Sequence, residues 1–261
     1  MLKAYRCRCL PGVSRTMTIP RLLLAIALGL SATWAKADTL IVLDNANPPF
    51  MYELDGKPRG LYPLMLQAIF KRAGEPVEIR AVPWKRALLL GESGAAAIGG
   101  IYKNTERLKR FDYSAPLFEE KLIVYVHRDK AFAFQGIEDL NGKDVGVIRG
   151  WSYSEAFDQA VRDGRIRRQD NTSDESNFKK LASGRLDAVI AIEQSGQRLL
   201  RHPHLETLIP LATPLSVNPT YLVFAKSAKR QALLARFDAS LRAMQNDGSL
   251  QALVQRASIT E

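Results

Sequence analysis

The chain has 261 residues, of which 46% are hydrophobic and 25% charged, the balance of an ordinary globular protein. This composition excludes a disordered chain, a collagen and a coiled coil. The net charge of +10 would favour an acidic partner, but residues 1–37 carry six basic residues and no acid. Without them, 31 basic and 27 acidic residues leave a charge of +4, so nucleic-acid binding loses its main support.

Residues 1–37 have the pattern of a secretory signal peptide. A basic start is followed by an apolar run from Leu22 to Leu30 and by the small-x-small motif that ends at Ala37. The apolar run is too short to span a bilayer comfortably, so no membrane-spanning domain is expected. Met17 begins a signal of more typical length than Met1 does. We predict cleavage after Ala37 and export of a soluble monomer to the periplasm.

The residue types of the mature chain exclude several kinds of site. Both cysteines, Cys7 and Cys9, lie in the leader, so the mature chain has no disulfide and no thiol nucleophile. His202 and His204 are separated by a proline, and no cysteine or clustered acid accompanies them. We therefore expect neither a metal site nor another cofactor.

The first part of the mature chain alternates strands and helices. Thr39 to Leu43 is a short apolar strand that ends before two prolines, which lack the amide hydrogen a β-ladder needs. A helix with apolar residues on one face follows and ends at Gly74. Val77 to Val82 and Ala95 to Ile101 are predicted strands, with a helix from Trp84 to Leu90 between them. This alternation predicts a parallel sheet covered by helices.

A second α/β unit of roughly ninety residues follows, a size suited to a separate lobe. Its predicted elements are a strand at 121–127, a strand at 145–148, a helix capped by Ser152 or Ser154, a helix at 175–182 and a strand at 186–192. A final strand at 221–225 and an amphipathic helix containing Leu233 and Phe237 complete the chain. Two α/β lobes with a ligand cleft between them are expected.

Five strings in this order resemble one known family. They are residues 47–60 (NPPFMYELDGKPRG), 104–107 (NTER) with 111–116 (FDYSAP), 139–147 (DLNGKDVGV), 184–188 (GRLDA) and 246–249 (NDGS). Together they are similar to the extracytoplasmic solute-binding proteins of family 3, the receptors of polar amino-acid ABC transporters. The resemblance covers nearly all of residues 38–257.

The resemblance implies a two-lobed type II periplasmic binding protein fold, with two α/β lobes joined by two hinge strands. It places the crossings near residues 126–129 and 219–222. The first lobe would then hold residues 38–126 and the return segment 222–261, and the second lobe residues 127–221. The implied activity is binding without chemistry: the lobes close over a small carboxylate-bearing solute, an amino acid or a derivative, and deliver it to an ABC permease.

The same resemblance implies the ligand-binding residues. Arg107 matches the arginine that pairs with the ligand's carboxylate, a role that suits a planar guanidinium. Ser152 matches a second-lobe position that helps to hold the same carboxylate. Its loop, which begins at Gly150, precedes a helix whose unpaired amides could bind an anion.

Aromatic and polar contacts are also implied. Trp84 matches an aromatic that stacks on the ligand, whereas Asn47 stands where many receptors carry the opposing aromatic. Tyr102 and Trp151 flank the same loops and would supply the lost aromatic surface. Asp44 is an expected polar contact.

The sequence departs from the family at the site of the ligand's α-ammonium group. Ile192 stands where an aspartate is usual, with Glu193 beside it, and Gly100 replaces a first-lobe serine. Either Glu193 replaces the aspartate, or the ligand is not a standard α-amino acid, because a buried cation needs a counter-charge.

Two alternatives stay open at this point. Some proteins of this fold are dehydratases of cyclic carboxylic acids, and Glu193 or Glu119 could then be the acid or base. The second alternative is a ligand sensor for a signalling receptor, whose binding site would look the same.

Overall fold

The computed structural model describes residues 38–259, so the predicted signal peptide and its cleavage point lie outside the described residues. The described chain forms thirteen strands and eight α-helices. The strands are β1 (Thr39–Asp44), β2 (Ala46–Asn47), β3 (Met51–Leu54), β4 (Lys57–Arg59), β5 (Val77–Val82), β6 (Ala97–Tyr102), β7 (Phe111–Tyr113), β8 (Phe118–His127), β9 (Asp144–Ile148), β10 (Arg167–Asn171), β11 (Ala188–Ile192), β12 (Leu208–Pro210) and β13 (Ser216–Ala225). The helices are α1 (Leu61–Arg72), α2 (Trp84–Glu92), α3 (Thr105–Arg110), α4 (Glu155–Arg162), α5 (Asp174–Ala182), α6 (Glu193–Leu199), α7 (Gln231–Asn246) and α8 (Ser249–Ile259). None of the helices within residues 38–259 has the length and apolar character needed to cross a membrane.

The first lobe is built on the parallel strands β5, β1 and β6. Every residue of β6 is buried, as expected of a strand covered by helices on both faces. Helix α1 packs against α7 and α8, and α2 packs against β1 and β6. Because β1 and β6 run parallel, their carboxyl ends bring Asp44 and Tyr102 to the same edge of the sheet.

The second lobe repeats this arrangement with the parallel strands β10, β9 and β11. Two serines cap its helices: the side chain of Ser154 accepts from the amide of Phe157 at 3.1 Å at the start of α4. Ser173 accepts from the amide of Ser176 at 3.3 Å at the start of α5. Of the two predicted caps of α4, Ser154 has this role and Ser152 does not.

Two long antiparallel strands, β8 and β13, are shared by the lobes. Residues 118–122 of β8 pair with residues 216–220 of β13. Beyond this segment, β8 pairs with β11 and β12 of the second lobe, while β13 pairs with β6 and β7 of the first. The first exchange of partners therefore comes at Leu122, earlier than the predicted crossing at residues 126–129, and Val126 already pairs with Ile209 of β12. The lobe boundaries themselves stay a prediction.

A small three-stranded antiparallel sheet, β2-β3-β4, occupies a region that the sequence pattern presents as a loop and a turn. Its strands have two to four residues each and carry mostly intermediate or exposed side chains. So short and polar a sheet leaves no alternating apolar pattern to recognise. It connects β1 to α1, whose first residues bond to the carbonyls of Pro49 and Phe50.

Candidate ligand-binding site

A small cavity lies where the two lobes meet. The first lobe contributes Trp84, Gly100, Tyr102 and Arg107 to its lining, the shared strand β8 contributes Glu120, and the second lobe contributes Trp151 and Ser152. The volume is only about 10 Å³, enough for about one water molecule. The lobes are therefore closed on each other around this point.

Arg107 is held in the wall of this cavity by helix α3 and by backbone carbonyls. Asn104 caps α3 and accepts from the amide of Arg107 at 2.8 Å. The guanidinium donates to the carbonyl of Tyr102 at 3.1 Å and to the carbonyl of Gly150 at 3.2 Å, and its carbon lies 5.8 Å from the ring centre of Trp84. The side chain is 9% exposed, and burial lowers the pKa of Arg107. Since the described residues give it no ion-pair partner, its charge remains available to a carboxylate.

The loop that follows β9 forms the opposite wall. The carbonyl of Gly150 accepts from the indole nitrogen of Trp84 at 3.0 Å as well as from Arg107. Gly150 has φ +79, and a Cβ there would lie 3.3 Å from Trp84, so a glycine suits this contact. The loop amides were predicted to be unpaired, but the amide of Trp151 donates to Ile148 at 3.2 Å. In this closed arrangement the loop presents a carbonyl to the first lobe.

Ser152 is buried beside the cavity, and its hydroxyl donates to the carboxylate of Asp158. Burial raises the pKa of Asp158, and the hydrogen bond from Ser152 opposes that rise. The serine is therefore positioned by an acid of its own lobe. It lines the same cavity as Arg107, and the shared role of the two residues in holding a carboxylate stays a prediction.

Two tryptophans from opposite lobes meet at the cavity. The ring centres of Trp84 and Trp151 are 6.3 Å apart with an angle of 66° between the ring planes. The indole nitrogen of Trp151 donates to Asp44 of the first lobe at 2.9 Å. Burial raises the pKa of Asp44 to about 6. Trp84, Tyr102 and Trp151 thus line one cavity, and Asp44 holds Trp151, while their contact with a ligand stays a prediction.

A model of the bacterial extracellular solute-binding proteins, family 3, matches residues 40–257. This chain belongs to that family. The predicted resemblance is thereby confirmed, and so is the two-lobed type II α/β fold, because the structure has two α/β lobes joined by two shared strands. Family members are extracytoplasmic binding proteins.

Relatives of this solute-binding protein match most of its length. The L-cystine-binding protein TcyJ of Escherichia coli (strain K12) is 26% identical over 224 residues, 85% of this chain and 82% of TcyJ. The arginine-binding periplasmic protein of Mannheimia haemolytica is 24% identical over 242 residues, 90% of this chain and 96% of that protein.

Solved structures share the fold. An ancestral arginine-binding protein bound to arginine matches with a TM-score of 0.73 and 23% identity. The match covers 84% of this chain and 97% of that protein. A histidine kinase sensor domain has a TM-score of 0.75 and 22% identity, covering 84% and 95%.

Three predicted site residues of the solute-binding protein, Asp44, Asn47 and Glu193, lie outside the cavity lining. Asn47 is buried and accepts from the hydroxyl of Ser195 in α6 at 3.2 Å, so it joins the two lobes outside the cavity lining. Glu193 begins α6 and lies 3.8 Å from the ammonium of Lys121, with about a third of its side chain exposed. The structure therefore does not place Glu193 in the cavity that Gly100 and Arg107 line.

One acidic residue that lines the cavity, Glu120, was not predicted from the sequence. It is 1% exposed, lines the cavity and accepts hydrogen bonds from the hydroxyls of Tyr62 and Tyr102. Burial raises its pKa to about 7, against the lowering effect of the tyrosine hydrogen bonds. The available signal was its place in an extended strand, where Glu119 and Glu120 must face opposite sides. Alternation did not reveal which of the two faces inward, and the structure leaves Glu119 exposed.

Proposed function

We propose that this solute-binding protein captures a small carboxylate-bearing solute, an amino acid or a derivative, between its lobes and delivers it to an ABC permease of the inner membrane. The observation that carries this proposal is the buried guanidinium of Arg107. It lies where both lobes meet and is held by neutral carbonyls. A desolvated cation without an acid is costly, and a ligand carboxylate would neutralise it through two parallel hydrogen bonds.

Hinge closure accounts for the contacts between the lobes. The carbonyl of Gly150 accepts hydrogen bonds from Trp84 and Arg107. Asp44 accepts one from Trp151, and Asn47 accepts one from Ser195. Each of these hydrogen bonds joins the two lobes. Opening the cleft would break these bonds and expose Arg107 to an entering ligand. We place the hinge at residues 118–122 and 216–220, the segment where β8 and β13 pair with each other between the lobes.

Transport is the role that the relatives favour. TcyJ is an L-cystine-binding protein, and a relative from Vibrio harveyi that is 24% identical over 232 residues is a putative amino-acid ABC transporter-binding protein. A sensor role has one observation in its favour, the fold shared with a histidine kinase sensor domain. A dehydratase has less support, because Glu119 is exposed and Glu193 lies beside Lys121.

A thermal-shift screen of the chain from Asp38 onward tests the proposal. The panel contains the standard L-amino acids, L-cystine and simple carboxylic acids. A ligand that binds only the folded state raises the melting temperature by mass action. We expect at least one α-amino acid to do so, and we expect Arg107→Ala to abolish the shift while circular dichroism shows a folded protein.

Arg110→Ala is the matched control, because Arg110 lies on the same helix and pairs on the surface with Glu92 at 2.7 Å. Its ligand shift should equal that of the wild type. A full shift in Arg107→Ala would remove Arg107 from the site, and a panel without a single binder would refute the amino-acid class. Uptake of the bound solute that requires both this protein and an ABC permease would separate transport from sensing.

A further inference from the structure

Glu120 is a buried carboxylate that no cation of the described residues neutralises. Its hydrogen-bond partners are the hydroxyls of Tyr62 on α1 and Tyr102 on β6. The hydroxyl of Tyr62 also lies 3.0 Å from that of Thr220, which donates to the carbonyl of Phe118 at 3.1 Å. These neighbours are neutral: burial and the charge of Glu120 keep the pKa of both tyrosines well above its ordinary value.

The tyrosines leave part of the carboxylate's capacity unused. A carboxylate offers about four acceptor positions, and two hydroxyl donors fill about half of them. Glu120 and Arg107 line the same cavity, so a buried carboxylate and a buried guanidinium are both in contact with this small space. Buried charges are normally paired or neutralised.

Tyr102 separates these two charges and sets their positions. Its backbone carbonyl accepts from Arg107, while its hydroxyl donates to Glu120. Neither charge is therefore used to neutralise the other. A ligand that enters this cavity meets a guanidinium at one end of Tyr102 and a carboxylate at the other.

We propose that Glu120 is the counter-charge for an ammonium group of the ligand, which makes the bound solute dipolar, with its carboxylate on Arg107 and its amino group on Glu120. This inference rests on the proposed function and specifies its substrate class. It assigns to a residue on the shared strand β8 the role that was one of two alternatives for Glu193 in the second lobe. Asp44 is less suited, because its oxygens already accept from Trp151 and from the amide of Ala46.

Gly100 fits the same arrangement. It has φ +71, and a Cβ there would lie 3.0 Å from the ring of Tyr62 and 3.2 Å from the sulfur of Met51. A side chain at this position would crowd Tyr62, the residue that holds Glu120. The absence of a side chain at Gly100 therefore lets Tyr62 keep the position from which it donates to Glu120.

The test compares each α-amino acid with the same acid lacking the amino group. The pairs are L-cystine with dithiodipropionic acid, L-arginine with guanidinovaleric acid and L-glutamine with glutaramic acid, measured by calorimetry. The wild type should bind the amino acid of at least one pair about 10-fold to 100-fold more tightly, the range expected for a charged hydrogen bond. Glu120→Gln should lose most of this preference, and Glu119→Gln, the exposed neighbour with the same charge, should keep it.

The outcomes separate this inference from the proposed function. If Glu120→Gln binds and retains the full preference, Glu120 is not the counter-charge, and the binding function stands. If the wild type favours the acids without an amino group, the dipolar ligand is refuted, and a carboxylate receptor remains. If the wild type binds none of these compounds and none of the standard L-amino acids, both proposals fail.

A measurement on the wild type covers the case in which Glu120→Gln does not fold. The preference for the amino acid should weaken from about pH 8 to about pH 6, because burial raises the pKa of Glu120 to about 7 and the protonated acid loses its charge. The groups that face it are Tyr62, Tyr102 and Thr220, which stay neutral over this range, and the guanidinium of Arg107 in the same cavity, which stays charged. A preference that is constant with pH would contradict the inference.

Discussion

Arg107 shows how single residues prepare this site. Its guanidinium is fixed by the carbonyls of Tyr102 and Gly150 rather than by an acid, so its orientation is set while its charge stays unneutralised. The carbonyl of Gly150 also accepts a hydrogen bond from the indole nitrogen of Trp84. One backbone oxygen of the second lobe therefore holds two side chains of the first. Closure therefore depends on how near the chain at Gly150 can come to Trp84.

Gly150→Ala tests that approach. Alanine is strained at φ +79, and its Cβ would lie 3.3 Å from Trp84 in the closed state. We expect a loss of about 1 kcal/mol of the free energy of unfolding and, in addition, a weaker ligand affinity. Denaturant titration and calorimetry measure the two effects.

Gly164→Ala is the matched control, because Gly164 has φ +73 and open space around its Cβ position. It should lose a similar free energy of unfolding and keep its ligand affinity. Equal affinities in the two variants would show that closure does not require a glycine at position 150.

At the scale of elements, helix α6 is positioned by a close contact with strand β8. The ring of Tyr125 on β8 packs against Gly196 in α6, and the hydroxyl of Tyr125 lies 3.2 Å from the carbonyl of Glu193, to which it donates. This packing holds Ser195, whose hydroxyl reaches Asn47 and Pro48 of the first lobe. The helix therefore connects the second-lobe core to the closed interface.

Gly196→Ala distinguishes this packing from helix propensity. Propensity alone predicts a stabilisation of about 1 kcal/mol, since alanine is the better helix former. A Cβ at this position would lie 2.2 Å from the Tyr125 ring, however, and overpacking of this kind costs about 1–3 kcal/mol. We expect a lower urea midpoint, and an increased midpoint would show that α6 can move away from β8.

At the scale of the whole molecule, three buried carboxyl groups share one direction of pKa shift. Burial raises the pKa of Asp44 to about 6, of Glu120 to about 7 and of Asp174 to about 7, and Asp174 is raised further by the charge of Asp44. Asp44 accepts from Trp151 across the lobes, Glu120 lies on a strand that joins them, and Asp174 begins α5 of the second lobe. Ionisation of these groups is therefore less favourable in the folded protein than in the unfolded chain.

The free energy of unfolding should therefore fall as the pH rises from about 4.5 to about 7. In this window the folded state keeps protons that the unfolded state has lost, so unfolding releases protons. Each group accounts for about 1–3 kcal/mol across the window. Asp247, with its pKa lowered to about 2, loses its contribution only in more acidic solution.

Melting temperatures measured from about pH 4.5 to about pH 7 check the predicted loss of stability with increasing pH. Asp174→Asn should reduce this loss and stabilise the protein near neutral pH, whereas Asp129→Asn, which changes an exposed carboxylate, should leave the loss unchanged. A stability that increases steadily towards neutral pH would contradict the assignment of raised pKa values.

The residue order by itself determined the family, the alternation of strands and helices, and most of the cavity lining. These properties follow from local patterns, since an apolar run, a glycine after a helix or the string around Arg107 is visible without knowing the fold. The polar edge strand β10 was not visible in this way, because its ladder to β9 is backbone hydrogen bonding that Arg167 to Asn171 do not signal by their side chains.

Only the tertiary structure decided which acid enters the cleft. Glu119 and Glu120 alternate in one strand, and Glu193 begins a helix, so each was equally able to face inward from local pattern alone. The pairing of β8 with β13 turns Glu120 towards Tyr62 and Tyr102 and leaves Glu119 exposed. Side-chain burial is set by contacts between segments far apart in the chain. The residues next to Glu119 and Glu120 in the sequence do not indicate those contacts.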